Sequence, residues 1–192
     1  MAGVPQAALF AELRPALPPG LDYRDGFLTP TEETTLAEAV GALPFAPFDF
    51  HGFAGLRRIV NFGFRYDFSA GRAFPADPMP AWLLPVRDRA ASWAGLEPEA
   101  LVQALITEYG PGAPIGWHRD RPIYQDVIGI SLLTPCVLRL RRRTGEGWER
   151  ASAPLAPRSA YILRGDARWV WEHSIAPAKA LRYSITFRSR RP

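Results

Sequence analysis

With 192 residues, of which 47% are hydrophobic and 22% charged, the chain has the length and composition of one globular domain with one sizeable core. Its net charge of +4 favours a polyanionic partner. The single cysteine, Cys136, excludes an intramolecular disulfide and a cysteine-rich zinc site. The first residues lack a positively charged segment followed by a long apolar run. We therefore expect neither a signal peptide nor a membrane span, and we expect a cytoplasmic protein.

Two helices are predicted in the N-terminal half, where they would buttress a sheet. A short strand over 21–27 precedes Thr29-Pro-Thr-Glu32, which combines an N-cap threonine, a proline at the first helical position and a glutamate three residues after the cap. The helix that begins there should run to about Leu43. The second helix is predicted over 80–93 and is ended by Gly95.

Aromatic and arginine side chains are interleaved through residues 45–77. The segment from Arg58 to Asp67 predicts a hairpin strand. Two interpretations stay open for this region: the rings pack on the core and the arginines are solvated, or the rings stack on a base while the arginines hold phosphates. His51 is interpreted as a loop or lid residue and not as a metal ligand. The run from Arg139 to Arg143 is open to a similar pair of interpretations, a phosphate-contacting strip or a solvated strand face.

From residue 101 onward the chain is predicted to be mostly β-strand. Leu101 to Tyr109 alternates so that Thr107 and Tyr109 share one face. Further strands are predicted over 127–133, 136–142 and 158–164. Eight or so short strands indicate a mainly β (α+β) fold, a double-stranded β-helix of the jelly-roll or cupin type, with the two N-terminal helices packed against it.

The segment Ile115-Gly-Trp-His-Arg-Asp120 reads as a strand. Because alternate residues of a strand share a face, His118 and Asp120 would point the same way. An imidazole beside a carboxylate supplies two ligands of the 2-His-1-carboxylate triad, which holds non-haem Fe(II) and leaves positions open for a co-substrate and O2. A third ligand must come from elsewhere, and His173 lies in Trp171-Glu-His-Ser174, a second strand-like segment.

Two arginines recur on the last predicted strand, Arg182-Tyr-Ser-Ile-Thr-Phe-Arg188. Alternation places Ser184 and Thr186 on the same face as both arginines. Guanidinium groups match carboxylates in geometry and charge. Two of them beside an iron triad are what a dicarboxylate co-substrate needs.

The order of these segments resembles the AlkB family of Fe(II)/2-oxoglutarate-dependent dioxygenases. The similarity runs from Ile106-Thr-Glu-Tyr-Gly through the two histidine segments to Arg188, and it is weaker over the N-terminal half. The resemblance implies one domain over 1–192, with a helical buttress and a substrate-recognition lid in 1–99 and a catalytic barrel core in 100–190. It also implies Fe(II), 2-oxoglutarate as co-substrate, and O2.

The resemblance assigns a role to each residue of the metal and co-substrate site. The catalytic set and the ligands of Fe(II) would be His118, Asp120 and His173. Arg182 would bind the distal C5 carboxylate of 2-oxoglutarate, with a hydrogen bond from Tyr109, and Arg188 would reach the metal end of the co-substrate. Thr107 and Ser184 stand where family members often carry asparagine, and both side chains can still form hydrogen bonds in the co-substrate pocket.

The implied activity is oxidative demethylation of alkylated DNA or RNA by a monomer, with single strands favoured and with release of succinate, CO2 and formaldehyde. Arg65 and Tyr66 would contact the substrate from the lid. Members that repair methylated bases tend to carry an acidic residue just after the triad aspartate, whereas Arg121-Pro122 follows here. That departure keeps an alternative open, the same chemistry on a protein side chain or a small molecule. A non-catalytic nucleic-acid-binding barrel is the less favoured third hypothesis.

Overall fold

Two antiparallel sheets and a separate hairpin make up most of the chain. The computed structural model describes residues 17–50, 53–67 and 70–191. Its strands are β1 (Leu21–Arg24), β2 (Ala46–Phe50), β3 (Phe53–Phe62), β4 (Phe64–Asp67), β5 (Arg72–Pro75), β6 (Leu101–Tyr109), β7 (Ile115–His118), β8 (Tyr124–Leu132), β9 (Cys136–Thr144), β10 (Gly147–Leu155), β11 (Ala160–Leu163), β12 (Glu172–Ile175) and β13 (Arg182–Arg190). Its α-helices are α1 (Pro30–Gly41), α2 (Leu84–Ala94) and α3 (Gly165–Trp169).

The strand order places the last strand in the middle of the larger sheet. That sheet runs β1-β11-β8-β13-β6-β3-β2, and the smaller one runs β10-β9-β12-β7. Strands β4 and β5 pair with each other as a two-stranded hairpin. Apolar side chains from both sheets, including Val127 and Leu163 of the larger and Leu138 and Leu140 of the smaller, form a shared core. This arrangement confirms the predicted mainly β, jelly-roll type of fold.

The two longer helices pack against one face of the larger sheet, as predicted. Leu36 and Val40 of α1 and Ala90 of α2 belong to the same buried cluster as Ile106 of β6. Because side chains alternate along a strand, Thr107 on β6 then points away from the helices. The helices thus leave the polar face of this strand free to line a site. In the described ranges, no helix is long and apolar enough to cross a membrane.

The N-terminus of α1 carries the predicted capping box. The Thr29 hydroxyl accepts a hydrogen bond from the Glu32 backbone N–H at 3.2 Å, and the Glu32 carboxylate accepts one from the Thr29 backbone N–H at 2.8 Å. Arg89 of α2 pairs with the same carboxylate. The hydrogen bond from Arg89, followed by that from the Thr29 backbone, lowers the pKa of Glu32 to about 2. Glu32 therefore caps the N-terminus of α1 and links α1 to α2.

The prediction of a single strand from Arg58 to Asp67 is wrong, because the strand is interrupted at Gly63. This glycine has φ 76°. A Cβ at this position would lie 2.1 Å from the carbonyl oxygen of Val102. Only glycine tolerates both the positive φ and the close approach. The segment is therefore divided between β3, in the larger sheet, and β4, in the hairpin.

Other boundaries also differ from the predictions. The strand that carries the first histidine ends at His118, so Asp120 lies in the loop that follows and not in the strand. The strand predicted over 158–164 is shorter, since Arg158 adopts a φ of 67°. Helix α3 was not predicted, and the described ranges contain thirteen strands instead of eight or so. His51 lies outside the described residues, and the division of the domain near residue 99 stays a prediction.

The capping box makes a prediction about stability. Glu32→Gln keeps a side-chain oxygen that can accept the Thr29 N–H hydrogen bond but loses the charge that pairs with Arg89, so it should lower the free energy of unfolding by about 0.5 kcal/mol at pH 7. The folded-state pKa of Glu32 is depressed, so its contribution is present above the unfolded value of about 4.5 and is lost as the pH falls toward 2. Urea unfolding at pH 7 and pH 3 measures this difference.

Glu38→Gln, an exposed change on the same helix, is the matched control and should have little effect at either pH. Equal destabilisation by the two variants, or a Glu32→Gln effect that does not shrink at pH 3, would contradict this account of the cap.

Candidate metal and co-substrate site

A cavity of about 620 Å³ lies between the polar face of the larger sheet and the smaller sheet. Its wall includes Thr107 and Tyr109 of β6, Ser184 and Arg188 of β13, and His173 of β12. The register of the strands brings these residues together. Among the cross-strand partners are Arg182 with Tyr109, Ser184 with Thr107, and Arg188 with Gln103. The face that alternation predicted on β13 is thus paired with the face predicted on β6.

The smaller sheet brings the two histidines together. His118 and His173 are register partners on neighbouring strands, and their ring centroids are 4.2 Å apart. Asp120 completes the group, with one carboxylate oxygen 3.7 Å from Nε2 of His173. One ligand-type atom from each of the three residues lies within 4.8 Å of the others. Two imidazole nitrogens and a carboxylate oxygen at this separation fit the donor set of an Fe(II) site.

The hydrogen bonding and burial of the two histidines keep a nitrogen of each ring unprotonated, as metal binding requires. Nδ1 of His118 lies 2.9 Å from the carbonyl oxygen of Gly116. A carbonyl only accepts, so Nδ1 carries the proton and Nε2 keeps its lone pair. Burial lowers the pKa of His118, and burial together with the neighbouring His118 lowers the pKa of His173 to about 3. Both rings are therefore neutral near pH 7, the form that binds metals.

Asp120 is ionised because Arg188 stands beside it. Burial alone would raise the pKa of this carboxyl group, but the charge of Arg188 holds the pKa well below its usual range. Nε of Arg188 donates to Asp120 at 2.7 Å, and its Nη2 lies 2.6 Å from the same oxygen. Arg188 thus lies at the metal end of the cavity, and the second carboxylate oxygen of Asp120 faces His173.

The loop that carries Asp120 is fixed from the unpredicted helix α3. Arg168 is 2% exposed, and its Nη2 donates to the carbonyl oxygens of Arg121 and Tyr124 at 2.7 and 2.8 Å. These two hydrogen bonds span the turn between Asp120 and the start of β8. Because Asp120 lies beyond the end of β7, this clamp replaces the positioning that a strand would have provided.

A buried cation lies behind the part of the cavity wall that Tyr109 forms. Arg182 is 1% exposed, its guanidinium carbon lies 4.9 Å from the ring centroid of Tyr109, and its Nε donates weakly to Ser131 at 3.3 Å. Its Nη1 is buried without a hydrogen-bond partner among the described residues. An unsatisfied buried guanidinium nitrogen is costly. A carboxylate would satisfy it, so the position of Arg182 beside Tyr109 fits the distal carboxylate of 2-oxoglutarate.

The two predicted lid residues take different positions. Tyr66 lines the cavity, and the guanidinium carbon of Arg121 lies 4.8 Å from its ring centroid. Arg65 is exposed and stacks on Phe74 across the hairpin at 5.4 Å. The structure therefore brings Tyr66, but not Arg65, to the cavity wall. It also joins Tyr66 to the arginine that stands where base-repair enzymes tend to carry an acid.

The cavity wall also includes residues to which the sequence analysis gave no role in the site, among them Arg57, Asn61 and Tyr161. Arg57 and Asn61 of β3 line the wall, and the alternation Arg57-x-Ile59-x-Asn61 is the signal that could have found them. Tyr161 leans into the cavity across Gly129, where an added Cβ would lie 2.3 Å from the ring. No sequence pattern indicates that contact, because it depends on the pairing of β11 with β8.

The basic run on β9 is largely engaged within its own sheet. Arg141 pairs with Glu172 at 2.8 Å, and Arg142 pairs with Glu149 at 2.7 Å. These contacts favour the interpretation of a charged strand face over that of a phosphate-contacting strip.

Comparison with known proteins identifies the family. A family model described as the 2OG-Fe(II) oxygenase superfamily matches residues 53–188, most of the chain. The chain belongs to this superfamily. It is 25% identical to the alkylated DNA repair protein ALKBH8 homolog of Arabidopsis thaliana over 82% of this chain and 51% of that protein. It is 26% identical to the Xenopus tropicalis tRNA (carboxymethyluridine(34)-5-O)-methyltransferase alkbh8 over 87% of this chain and 27% of that protein.

A solved structure of OsALKBH1 shares the fold. The TM-score is 0.71 at 15% identity, and the match covers 92% of this chain and 99% of that one. The chain spans about half the length of the Arabidopsis relative and about a quarter of the Xenopus one. Together these findings establish a 2OG-Fe(II) oxygenase with an AlkB-like fold, a dioxygenase that uses Fe(II), 2-oxoglutarate and O2.

Different residues of this oxygenase would bind the metal and the co-substrate. The chemistry supplied by bound Fe(II) and 2-oxoglutarate is the insertion of one oxygen atom of O2 into a C–H bond, while 2-oxoglutarate is oxidised to succinate and CO2. His118, Asp120 and His173 would hold the metal. Arg188 keeps the Asp120 ligand ionised and oriented. Arg182 would bind the distal carboxylate of the co-substrate.

The orphaned guanidinium makes a testable prediction about co-substrate binding. Arg182→Met should weaken 2-oxoglutarate binding by roughly 10- to 100-fold, the equivalent of about 1.5–3 kcal/mol for a hydrogen bond to a charged group. Mn(II) binding should stay close to that of the wild type, because Arg182 contacts none of the three ligand residues. Calorimetric titration of 2-oxoglutarate into the Mn(II)-loaded protein measures the effect.

Arg190→Met removes an exposed arginine from the same strand and serves as the matched control. If the two variants bind 2-oxoglutarate as tightly as the wild type does, the distal carboxylate does not bind at Arg182.

Proposed function

We propose that this oxygenase demethylates alkylated bases in single-stranded nucleic acid. One observation carries the proposal: the cavity that contains the triad is also lined by an aromatic ring and by polar side chains of β3 and the hairpin, namely Tyr66, Arg57 and Asn61. A ring can stack on an unpaired base, and a guanidinium can bind a phosphate or a base carbonyl. The names of the relatives, which refer to alkylated DNA repair and to tRNA, support a nucleic-acid substrate.

The reaction balances without any further reagent. Oxidation of an N-methyl group converts N–CH3 to N–CH2OH. The C–N bond of this product then breaks, the nitrogen keeps the bonding electrons and gains the hydroxyl proton, and formaldehyde leaves. A single strand is favoured because a base must be unstacked to enter a cavity of this depth, which costs least when it has no partner.

The charge of the cavity indicates which methylated bases fit. Its lining contains the arginines Arg57, Arg119, Arg121 and Arg188, and Asp120 is the acidic residue of that lining. Burial lowers the pKa of Arg57, an arginine for which the described residues supply no carboxylate partner. A cationic base such as N1-methyladenine would be repelled here. A neutral base with carbonyl acceptors on both sides of its N-methyl group, such as N3-methyluracil, would be accommodated.

A second candidate keeps the chemistry and changes the substrate. Because Arg121 follows the triad aspartate and stacks on Tyr66, the cavity lacks the acid expected of enzymes that recognise methylated adenine or cytosine. An anionic side chain of a protein or a small carboxylated molecule would match the same arginines.

The test is turnover of Fe(II)-loaded protein with 2-oxoglutarate and air, monitored as succinate and formaldehyde. Single-stranded oligonucleotides that carry N3-methyluracil, N1-methyladenine or no methyl group are compared. We expect formaldehyde in step with succinate for N3-methyluracil, at least about 10-fold less for N1-methyladenine, corresponding to about 1.4 kcal/mol of discrimination, and none without the methyl group. His173→Ala, which removes a ligand of the metal, should abolish both products.

Succinate that no oligonucleotide stimulates would overturn the proposed substrate and leave the oxygenase, which directs the search to the second candidate. A preference for N1-methyladenine would contradict the charge argument while keeping demethylation.

A further inference from the structure

Gln103 of β6 is a buried amide at the centre of a hydrogen-bond chain that crosses the cavity wall. It is 2% exposed. Its Nε2 donates to the side-chain oxygen of Asn61 at 3.1 Å and to the backbone carbonyl of Phe64 at 2.9 Å. Its Oε1 accepts from Nη1 of Arg188 at 3.2 Å. Both hydrogens and the oxygen of the amide are therefore used, each toward a different part of the fold.

The chain of contacts continues from Arg188 to the metal site. Nε of Arg188 donates to Asp120 at 2.7 Å. An unbroken series of hydrogen bonds thus runs from a carboxylate of the triad, through Arg188 and Gln103, to Asn61 on β3 and to Phe64, the first residue of the hairpin.

The hairpin has a limited attachment to the rest of the fold through its backbone. Strands β4 and β5 pair with each other and not with a strand of either sheet in the described ranges. At its base, Gly63 exchanges backbone hydrogen bonds with Asp77 and Ala76. A two-stranded hairpin is marginally stable by itself. Its position therefore depends on side-chain contacts, which include the partly buried hydrogen bond from Gln103 to Phe64 and the stacking of Arg121 on Tyr66 at the cavity.

We propose that Gln103 is a positioning residue that couples the hairpin to the metal site. Loading of the metal at Asp120 orders the hairpin through Arg188 and Gln103. By linkage, a substrate that holds the hairpin in place raises the affinity of the Asp120 site for the metal. The inference rests on the proposed function only for the nature of that substrate, because the coupling joins two parts of this chain.

A merely structural role for Gln103 makes a different prediction. A buried amide needs hydrogen-bond partners wherever it lies, so any variant could lose stability. Loss of stability alone would affect the hairpin equally with and without the metal. Coupling through Gln103 instead predicts a Gln103 variant that stays folded and whose hairpin is no longer ordered by the metal.

The experiment measures amide hydrogen exchange in the hairpin strands, residues 64–67 and 72–75, of the full chain, without ligands and with Mn(II) plus 2-oxoglutarate under anaerobic conditions. In the wild type, we expect loading to slow exchange in the hairpin by about fivefold or more, the lower end of typical coupling between sites. Gln103→Glu keeps an oxygen that accepts from Arg188 but cannot donate to Asn61 or Phe64. In this variant, loading should slow hydrogen exchange in the hairpin by less than about twofold. Asn61→Ala removes the acceptor of one of these two hydrogen bonds, so loading should slow exchange by an intermediate factor.

Gln125→Glu, a half-buried glutamine on β8, is the matched control and should respond like the wild type. Urea unfolding and Mn(II) electron paramagnetic resonance on the same samples establish that each variant is folded and loaded. Wild-type protection that persists unchanged in folded, loaded Gln103→Glu would overturn the inference, and so would a loaded wild type whose hairpin does not respond. Neither result depends on an oligonucleotide, so failure of the proposed substrate would be seen separately in the turnover assay.

Discussion

The buried pair of Asp120 and Arg188 is the interaction on which the site depends. Burial alone would raise the pKa of a carboxyl group between two neutral histidines, and a protonated carboxyl group is a poor metal ligand. The guanidinium prevents that and leaves the other carboxylate oxygen facing His173. An Arg–carboxylate pair of this kind adds little to stability by itself, since both groups lose their hydration. Its value here is to keep one ligand charged and oriented before the metal arrives.

The fold supplies this pair with partners on neighbouring strands. Strand β13 crosses the middle of the larger sheet, so its polar face carries Arg182 at one end and Arg188 at the other. Strand β6 beside it adds Tyr109 near the first arginine and Gln103 near the second. Arg182 is buried, whereas side chains of β3 and Tyr66 of the hairpin line the cavity that contains the metal triad.

Short-range patterns predicted most of this arrangement. Period-two alternation was sufficient to place Thr107 with Tyr109 and Ser184 with Arg188, and the capping signals located α1 and α2. Features that depend on contacts between distant segments were not predicted. Arg57 faces the cavity because of the register of β3 on β6, and Asp120 is held in a loop by Arg168 from a helix that has no strong sequence signal. The break at Gly63 was visible as a glycine, but its cause, the carbonyl of Val102, was not.

The most direct test of the central claim is a crystal structure of the protein with Mn(II) and 2-oxoglutarate, grown anaerobically, with anomalous data collected for manganese. The account predicts one strong anomalous peak bonded to His118, Asp120 and His173, with the distal carboxylate of 2-oxoglutarate within hydrogen-bond distance of Nη1 of Arg182. A peak away from these three residues, or a co-substrate whose distal carboxylate is held by Arg57 instead, would contradict it.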